Sequence, residues 1–220
     1  MKSEAVLREE LAFSYRELAR HNMNEGVCNH LTCDVGDGSF LVINHGVQWS
    51  ECESSDLCLV DSKGNVLSGM GNPEITAVCI HAAVHLQLGF DRAACVFHTH
   101  MPYVTAISCL ANDNDNLGLG RILPIHQNAC RFTNGATCYD DTFNGLGDTD
   151  DEGNRIASCY NTDNSRILIM GSHGCMVIGN SCAECFDDMY FLERTAQNQI
   201  LALSAVGGNI NKLRLIKDDV

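Results

Sequence analysis

Apolar positions recur at helical spacing near the start of the chain: Val6, Leu7, Leu11, Tyr15, Leu18 and Ala19, with charged residues between them. This period predicts an amphipathic helix over residues 4–22. The pattern then shortens. "NHLTCDV" and "SFLVIN" read as brief strands parted by the turn-like "GDG". "LCLVDSKGNVLSG" reads as a strand, a "KGN" turn and a second strand, a hairpin. A helix is expected from Thr76 to Leu88, capped by Thr76, with Gly89 just past its end. "AACVFH" is a buried strand ending at His98, and Pro102 opens another helix, "PYVTAISCLA". Residues 112–120 and much of 139–165, rich in Asp, Asn, Gly and Thr, are expected to be loops. "RILIM" and "CMVIG" are strands on either side of "GSHG". Ser181 then caps the longest helix, over about 182–204, and the tail "NKLRLIKDDV" is a short helix or frayed.

Strands and helices alternate without an internal repeat or a low-complexity linker. This predicts a layered α/β or α+β fold and one domain over residues 1–220. Hydrophobic residues make up 45% and charged residues 19%, an ordinary balance for a folded domain. No apolar run approaches the roughly 18 residues that span a bilayer, and the charged N-terminal stretch has no signal-peptide core. The net charge of −14 argues against nucleic acid or an anionic membrane as partner. It also requires that an anionic substrate be held by a local positive device, such as a metal or one Arg. Thirteen cysteines, an odd number scattered through apolar stretches, point to free buried thiols and a cytoplasmic setting. The spaced pair "CAEC" at Cys182 and Cys185 has no second pair to match it and is expected to be structural.

The chemistry concentrates in "FHTHMPY", residues 97–103. Strand side chains alternate between faces, so His98 and His100 point the same way, with about 6–7 Å between their Cα atoms. That suits two imidazoles converging on one metal ion. A catalytic zinc needs about three protein ligands and an open position. His173 in "MGSHGCMVIG" is the best third ligand, since it also follows an apolar strand and has glycines close by. The plainer alternative is that these are surface histidines at strand ends. His81 and His85 share a helix face but lack the Glu of an HExxH motif, so they are expected to pack, with His81 behind the metal's ligands. Trp49 is expected in the core.

Taken together and in order, "FHTH", "SHGCMVIG" and "AECFDDMYFLERTAQNQI" resemble the class II aldolase/adducin family. The resemblance runs from "RELARHNMNEGVCNHLT" to the end of the long helix. "FLVINHGVQWSE", "IHAAVH" and "LPIHQNACRF" are similar to its adducin-like branch. The resemblance implies a three-layer αβα fold, class II aldolase-like, with a central, largely antiparallel sheet. It implies a homotetramer with sites at subunit interfaces. It implies Zn2+, with Fe2+, Mn2+ or Co2+ as alternatives, on the positions matching His98, His100 and His173. The implied reaction is carbon–carbon cleavage of aldolase or decarboxylase type, or epimerisation by the same route, with the metal as Lewis acid.

Departures from the family pattern narrow the reading. The acid/base carboxylate expected before the "IH" helix has Ala77 in its simplest alignment, and the nearest carboxylate is Glu74, either a catalytic base or a charge favoured by the helix dipole. Tyr103 is a candidate proton donor, with Tyr139 and Tyr160 as alternatives. His30 and Thr32 are candidate substrate contacts, and Arg131 a clamp for a carboxylate or a structural ion pair. Asp34 stands where the family often has a basic residue. A small keto or hydroxy acid is therefore expected rather than a sugar phosphate. The second reading is a non-enzymatic, adducin-like assembly module. Adducin-type chains tend to lose the metal histidines, and this chain keeps all three. A third is an iron-dependent oxygenase on the same scaffold.

Overall fold

The structure is a computed structural model that describes residues 2–111, 118–145 and 147–217. Its helices are α1 (Glu4–Arg20), α2 (Ile75–Leu88), α3 (Phe90–Ala93), α4 (Pro102–Ser108), α5 (Asp150–Ala157) and α6 (Cys182–Ala205). Its strands are β1 (His30–Asp34), β2 (Phe40–Ile43), β3 (Leu57–Val60), β4 (Val66–Ser68), β5 (Cys95–Thr99), β6 (Thr137–Asp140), β7 (Ile167–Met170) and β8 (Gly174–Gly179). Most of the expected loop at 112–120 lies outside the described residues. No helix among those described is long and apolar enough to cross a membrane.

The strands form one sheet in the order β4-β3-β2-β1-β5-β8-β7-β6. Every neighbouring pair is antiparallel except β6 and β7. Strand alternation gives the sheet two apolar faces. Leu31, Cys33, Cys95, Phe97, Ile167, Ile169, Cys175 and Val177 pack with α1, α4 and α6 on one face. Val96, Leu168, Met170, Met176 and Ile178 pack with α2 and α5 on the other. The fold is therefore the expected three-layer αβα arrangement. Trp49 is buried in it, edge-on to Tyr15 with ring centroids 4.7 Å apart.

One expectation is corrected and one is refined. The cap of α2 is Glu74, not Thr76: the Glu74 side chain accepts from Thr76 N, and Thr76 already lies inside the helix. Much of 139–165 is loop, as expected, but the stretch also completes β6 and holds α5, a helix the pattern did not predict. Thr149 caps α5 by accepting from Glu152 N at 3.3 Å. Asp150, Asp151 and Glu152 fill the first turn, where the helix dipole favours negative charge. The acidic, polar turn that reads as loop is thus a helix start. Of α5, Gly153, Ile156 and Ala157 are buried, a short apolar face.

Gly153 sets how closely α5 approaches α2. A Cβ there would lie 2.3 Å from the Cys79 carbonyl oxygen. Forcing a methyl into such a contact costs about 1–3 kcal/mol. Gly153→Ala is expected to lower the melting temperature by roughly 3–10 °C, read by circular dichroism. An unchanged melt would show that the two helices are not in such close contact.

Candidate metal centre

On β5, Cys95 and Phe97 face α6, so Val96 and His98 face α2. His98 is 1% exposed. Beyond Thr99 the chain turns toward Pro102, and His100 comes to the surface with 17% of its side chain exposed. His173 lies in the tight β7–β8 connection, where Ser172 takes φ +55°. Gly174 allows the two turns to meet, since a Cβ there would sit 2.5 Å from Thr99 O and 2.9 Å from His100 Cδ2. The three rings form a near-equilateral triangle. Centroid separations are 4.9 Å for His98–His100, 4.9 Å for His98–His173 and 4.8 Å for His100–His173. One ring nitrogen from each lies within 4.8 Å of the others.

Hydrogen bonds fix the tautomers of two of these rings. His98 Nδ1 sits 2.9 Å from the Cys175 carbonyl oxygen, an acceptor only. Its Nδ1 must donate, which leaves a lone pair on Nε2. His100 Nδ1 sits 2.6 Å from a Glu25 carboxylate oxygen, with the same consequence. The two Nε2 atoms then face each other at 3.1 Å. Two lone pairs at that distance repel unless a proton or a cation lies between them. Imidazoles around a tetrahedral zinc, with bonds of about 2.0–2.1 Å, have their nitrogens about 3.3 Å apart. The donor set, its outer hydrogen bonds and its spacing fit a divalent ion.

Burial favours the neutral form of His98 and His173, as ligation requires. Burial, reinforced by His30, His173 and His100, holds His98 well below the usual histidine range. Burial and His100 lower His173 to about 4, against an opposing pull from Asp140 and Glu152.

Behind the triangle runs a buried chain of imidazoles. His30 is the direct cross-strand partner of His98, and their rings are 5.0 Å apart. The direction of this chain follows from its far end. His85 Nδ1 donates to the Ala93 carbonyl at 2.6 Å, so His85 Nε2 accepts the Thr32 hydroxyl at 2.8 Å. Thr32 Oγ1 then accepts from His81 Nδ1 at 2.8 Å, and His81 Nε2 accepts from His30 Nδ1 at 2.9 Å. This leaves a lone pair on His30 Nε2, 3.3 Å from Thr76 Oγ1. Thr76 Oγ1 is also 3.3 Å from Glu74 Oε1, so one hydroxyl proton serves two acceptors.

The other expected site residues are placed as follows. Thr32 is fully buried and its hydroxyl is taken by His81 and His85, which corrects the expectation of a substrate contact. His30 is 2% exposed, behind His98 rather than in the open. Glu74 caps α2 and pairs with His45, reaching the triangle only through Thr76 and His30. Tyr103 lines a cleft with His21, Tyr190 and Arg194 whose lining does not include His98, His100 or His173. Arg131 is held by Asp187 at 2.5 Å and Asp188 at 2.9 Å, the structural ion pair of the two alternatives. Tyr139 accepts from Ile122 N, and buried Tyr160 donates to Met176 O.

Sequence reading missed Glu25 and Asn29. Asn29 Oδ1 accepts from both His100 N, at 3.2 Å, and Glu25 N, at 2.7 Å. Its Nδ2 is buried without a partner among the described residues. The signal was the placement of "NEGVCNH" directly before a strand that pairs with the "FHTH" strand. It also missed the wall beside His173, where Arg155 bridges Asp140 at 2.7 Å and Glu152 at 2.6 Å.

Acid should therefore unfold the metal-free protein. His30, His81, His85, His98 and His173 all have folded pKa values pushed below the ordinary 6.5, chiefly by burial. Between the folded and unfolded values the unfolded chain holds more protons, so stability falls as pH falls. Urea midpoints of chelator-treated protein should drop from about pH 6.5 downward. Midpoints that stay flat between pH 7 and 5 would contradict the neutral, buried assignment.

Residues 9–200 match the Class II Aldolase and Adducin N-terminal domain family. An adducin-related protein of Schizosaccharomyces pombe is 26% identical over 96% of this chain, which spans 63% of that protein's length. The crystal structure of an aldolase II superfamily protein from Pseudomonas syringae superposes with a TM-score of 0.85 at 26% identity, covering 100% of this chain and 83% of that one. L-fuculose 1-phosphate aldolase from Glaciozyma antarctica shares the fold, with a TM-score of 0.80 at 24% identity, covering 98% of this chain and 78% of that one. With the fold, the sheet order and this match over most of its length, the chain belongs to the class II aldolase/adducin family.

Proposed function

We propose that this chain is one catalytic domain of a divalent-metal lyase that cleaves or forms a carbon–carbon bond in a small keto or hydroxy acid. The observation that supports it most is the pair of facing Nε2 lone pairs on His98 and His100, closed into a triangle by His173. His98, His100 and His173 would hold Zn2+, with Fe2+, Mn2+ or Co2+ as substitutes. Such an ion, when bound, would supply Lewis acidity toward a substrate carbonyl oxygen. Glu25 and the Cys175 carbonyl orient two of the rings. Asn29 Nδ2 is a free donor beside His100 and suits a substrate oxygen. The net charge of −14 and the lack of a basic residue at Asp34 favour a small acid over a sugar phosphate.

For proton transfer the proposal keeps Glu74. Its carboxylate competes with His30 for the Thr76 proton, which places it one hydroxyl away from the imidazole beside His98. Tyr103 fits the family's use of a tyrosine from a neighbouring subunit only if the protein assembles, and a cytoplasmic homotetramer with sites between subunits is part of the proposal. The second reading, a non-enzymatic assembly module, draws on the adducin-related relative. The intact histidine triangle favours the enzyme.

Metal analysis by mass spectrometry on untagged protein should give about one zinc per chain, lost in His98→Ala, His100→Ala and His173→Ala. Glu25→Gln should weaken metal affinity by about 10–100-fold. Wild-type protein that takes up no metal on reconstitution would refute the lyase and leave the assembly module. Glu74→Gln should keep the metal and lower kcat by roughly 100-fold or more on a cleaved keto acid. An unchanged kcat would remove Glu74 from the chemistry.

A further inference from the structure

On the opposite face of the sheet from His98, three thiols converge. Cys33 of β1 and Cys95 of β5 are direct cross-strand partners. Asp34 N donates to Ala94 O at 2.8 Å, which makes them a non-hydrogen-bonded pair, the kind that brings strand backbones closest. Their Sγ atoms are 3.4 Å apart. Cys182, the first residue of α6, places its Sγ 3.7 Å from that of Cys95. All three sulfurs lie within 4.8 Å of one another, and each residue is 2% exposed or less. Cys185, one turn further along α6, turns instead to the Cys95 carbonyl oxygen at 3.6 Å. The spaced cysteine pair is thus split, and only Cys182 joins the cluster.

Three features give this cluster the character of a ligand set. Around a metal with bonds to sulfur of about 2.3 Å, thiolates stand about 3.8–4.0 Å apart; the separations of 3.4 Å and 3.7 Å from Cys95 fall slightly below that value, and all three sulfurs lie within 4.8 Å of one another. The Cys95 thiol donates to Cys33 Sγ, and Cys182 Sγ lies within hydrogen-bond reach of Cys95 Sγ. The start of α6 beside Cys182 favours negative charge on its sulfur. A route in exists as well. A surface cleft of about 530 Å³ between α1 and α6, with Glu9, Phe13 and Phe186 on its walls, has Cys182 in its lining.

We propose that Cys33, Cys95 and Cys182 form a second metal site, separate from the histidine triangle, that binds one monovalent copper ion. Soft sulfur donors select soft ions. Three sulfurs in a dry core supply a trigonal site, which suits Cu(I), whereas structural zinc takes four ligands. Binding releases the thiol protons and involves no change of oxidation state when copper is supplied as Cu(I).

The test uses the full chain with exposed Cys28, Cys109 and Cys130 replaced by Ser. The protein is loaded anaerobically with Cu(I), then challenged with a Cu(I) chelator. The result expected is one retained copper per chain with three sulfur neighbours by X-ray absorption, a reading that needs no substitution in the core. Cys95→Ser and Cys182→Ser should lose the copper to the chelator. Cys185→Ser, equally buried, and the His98→Ala/His100→Ala double variant should keep it. Copper that is stripped from the parent protein, that shows nitrogen neighbours, or that disappears in the histidine variant would overturn the proposal. So would retention of copper in both Cys95→Ser and Cys182→Ser, or four-coordinate zinc displacing copper from the thiols.

Discussion

The register between β1 and β5 determines almost everything else. His30 stands opposite His98, Thr32 opposite Val96, and Cys33 opposite Cys95. Because side chains alternate, this one register sends His30, Thr32 and His98 toward α2 and sends Cys33 and Cys95 toward α6. A slip of β1 by one residue would move His30 and Thr32 to the α6 face and Cys33 to the α2 face, parting them from His98 and Cys95. The apolar residues on both faces, Leu31 and Phe97 on one and Val96 on the other, resist that slip because each is fully buried where it is.

Holding so many imidazoles in a core is expensive unless they are neutral and paired. The structure meets both conditions. His85 ends its chain on the Ala93 carbonyl, and each link up to His30 then has a single sensible donor and acceptor. Beyond His30 the rings of His98 and His100 are oriented differently, by Cys175 O and by Glu25. The inner chain therefore stiffens the wall behind His98, while the outer bonds aim the nitrogens. His98 is buried, and His100 and His173 are partly open, which leaves one side of the triangle accessible.

Much of the fold was legible in the chain's pattern because long periodic stretches dominate it. The periodic helices at the two ends, the strand before His98 and the "GSHG" turn all follow from spacing and flanking residues. The meeting of His98, His100 and His173 was legible too, since two histidines at strand alternation and a third beside a glycine leave few geometric options. What could not be read depended on long-range pairing. Whether His30 meets His98, or Cys182 meets Cys33, is decided by register and packing, not by local sequence. α5 was hidden because its first turn is acidic and its apolar face holds only Gly153, Ile156 and Ala157. Thr32 looked like a donor for substrate because a hydroxyl on a strand can point anywhere its face allows, and here two buried histidines claim it.

The most direct test of the histidine triangle is anomalous X-ray diffraction from crystals of the zinc-loaded protein, collected on either side of the zinc absorption edge. The account predicts one strong anomalous peak per chain within bonding distance of Nε2 of His98, Nε2 of His100 and a ring nitrogen of His173, with His98 Nδ1 still on Cys175 O and His100 Nδ1 on Glu25. A peak at the cysteine cluster or on surface carboxylates alone, with the three histidine rings turned away from one another, would contradict it.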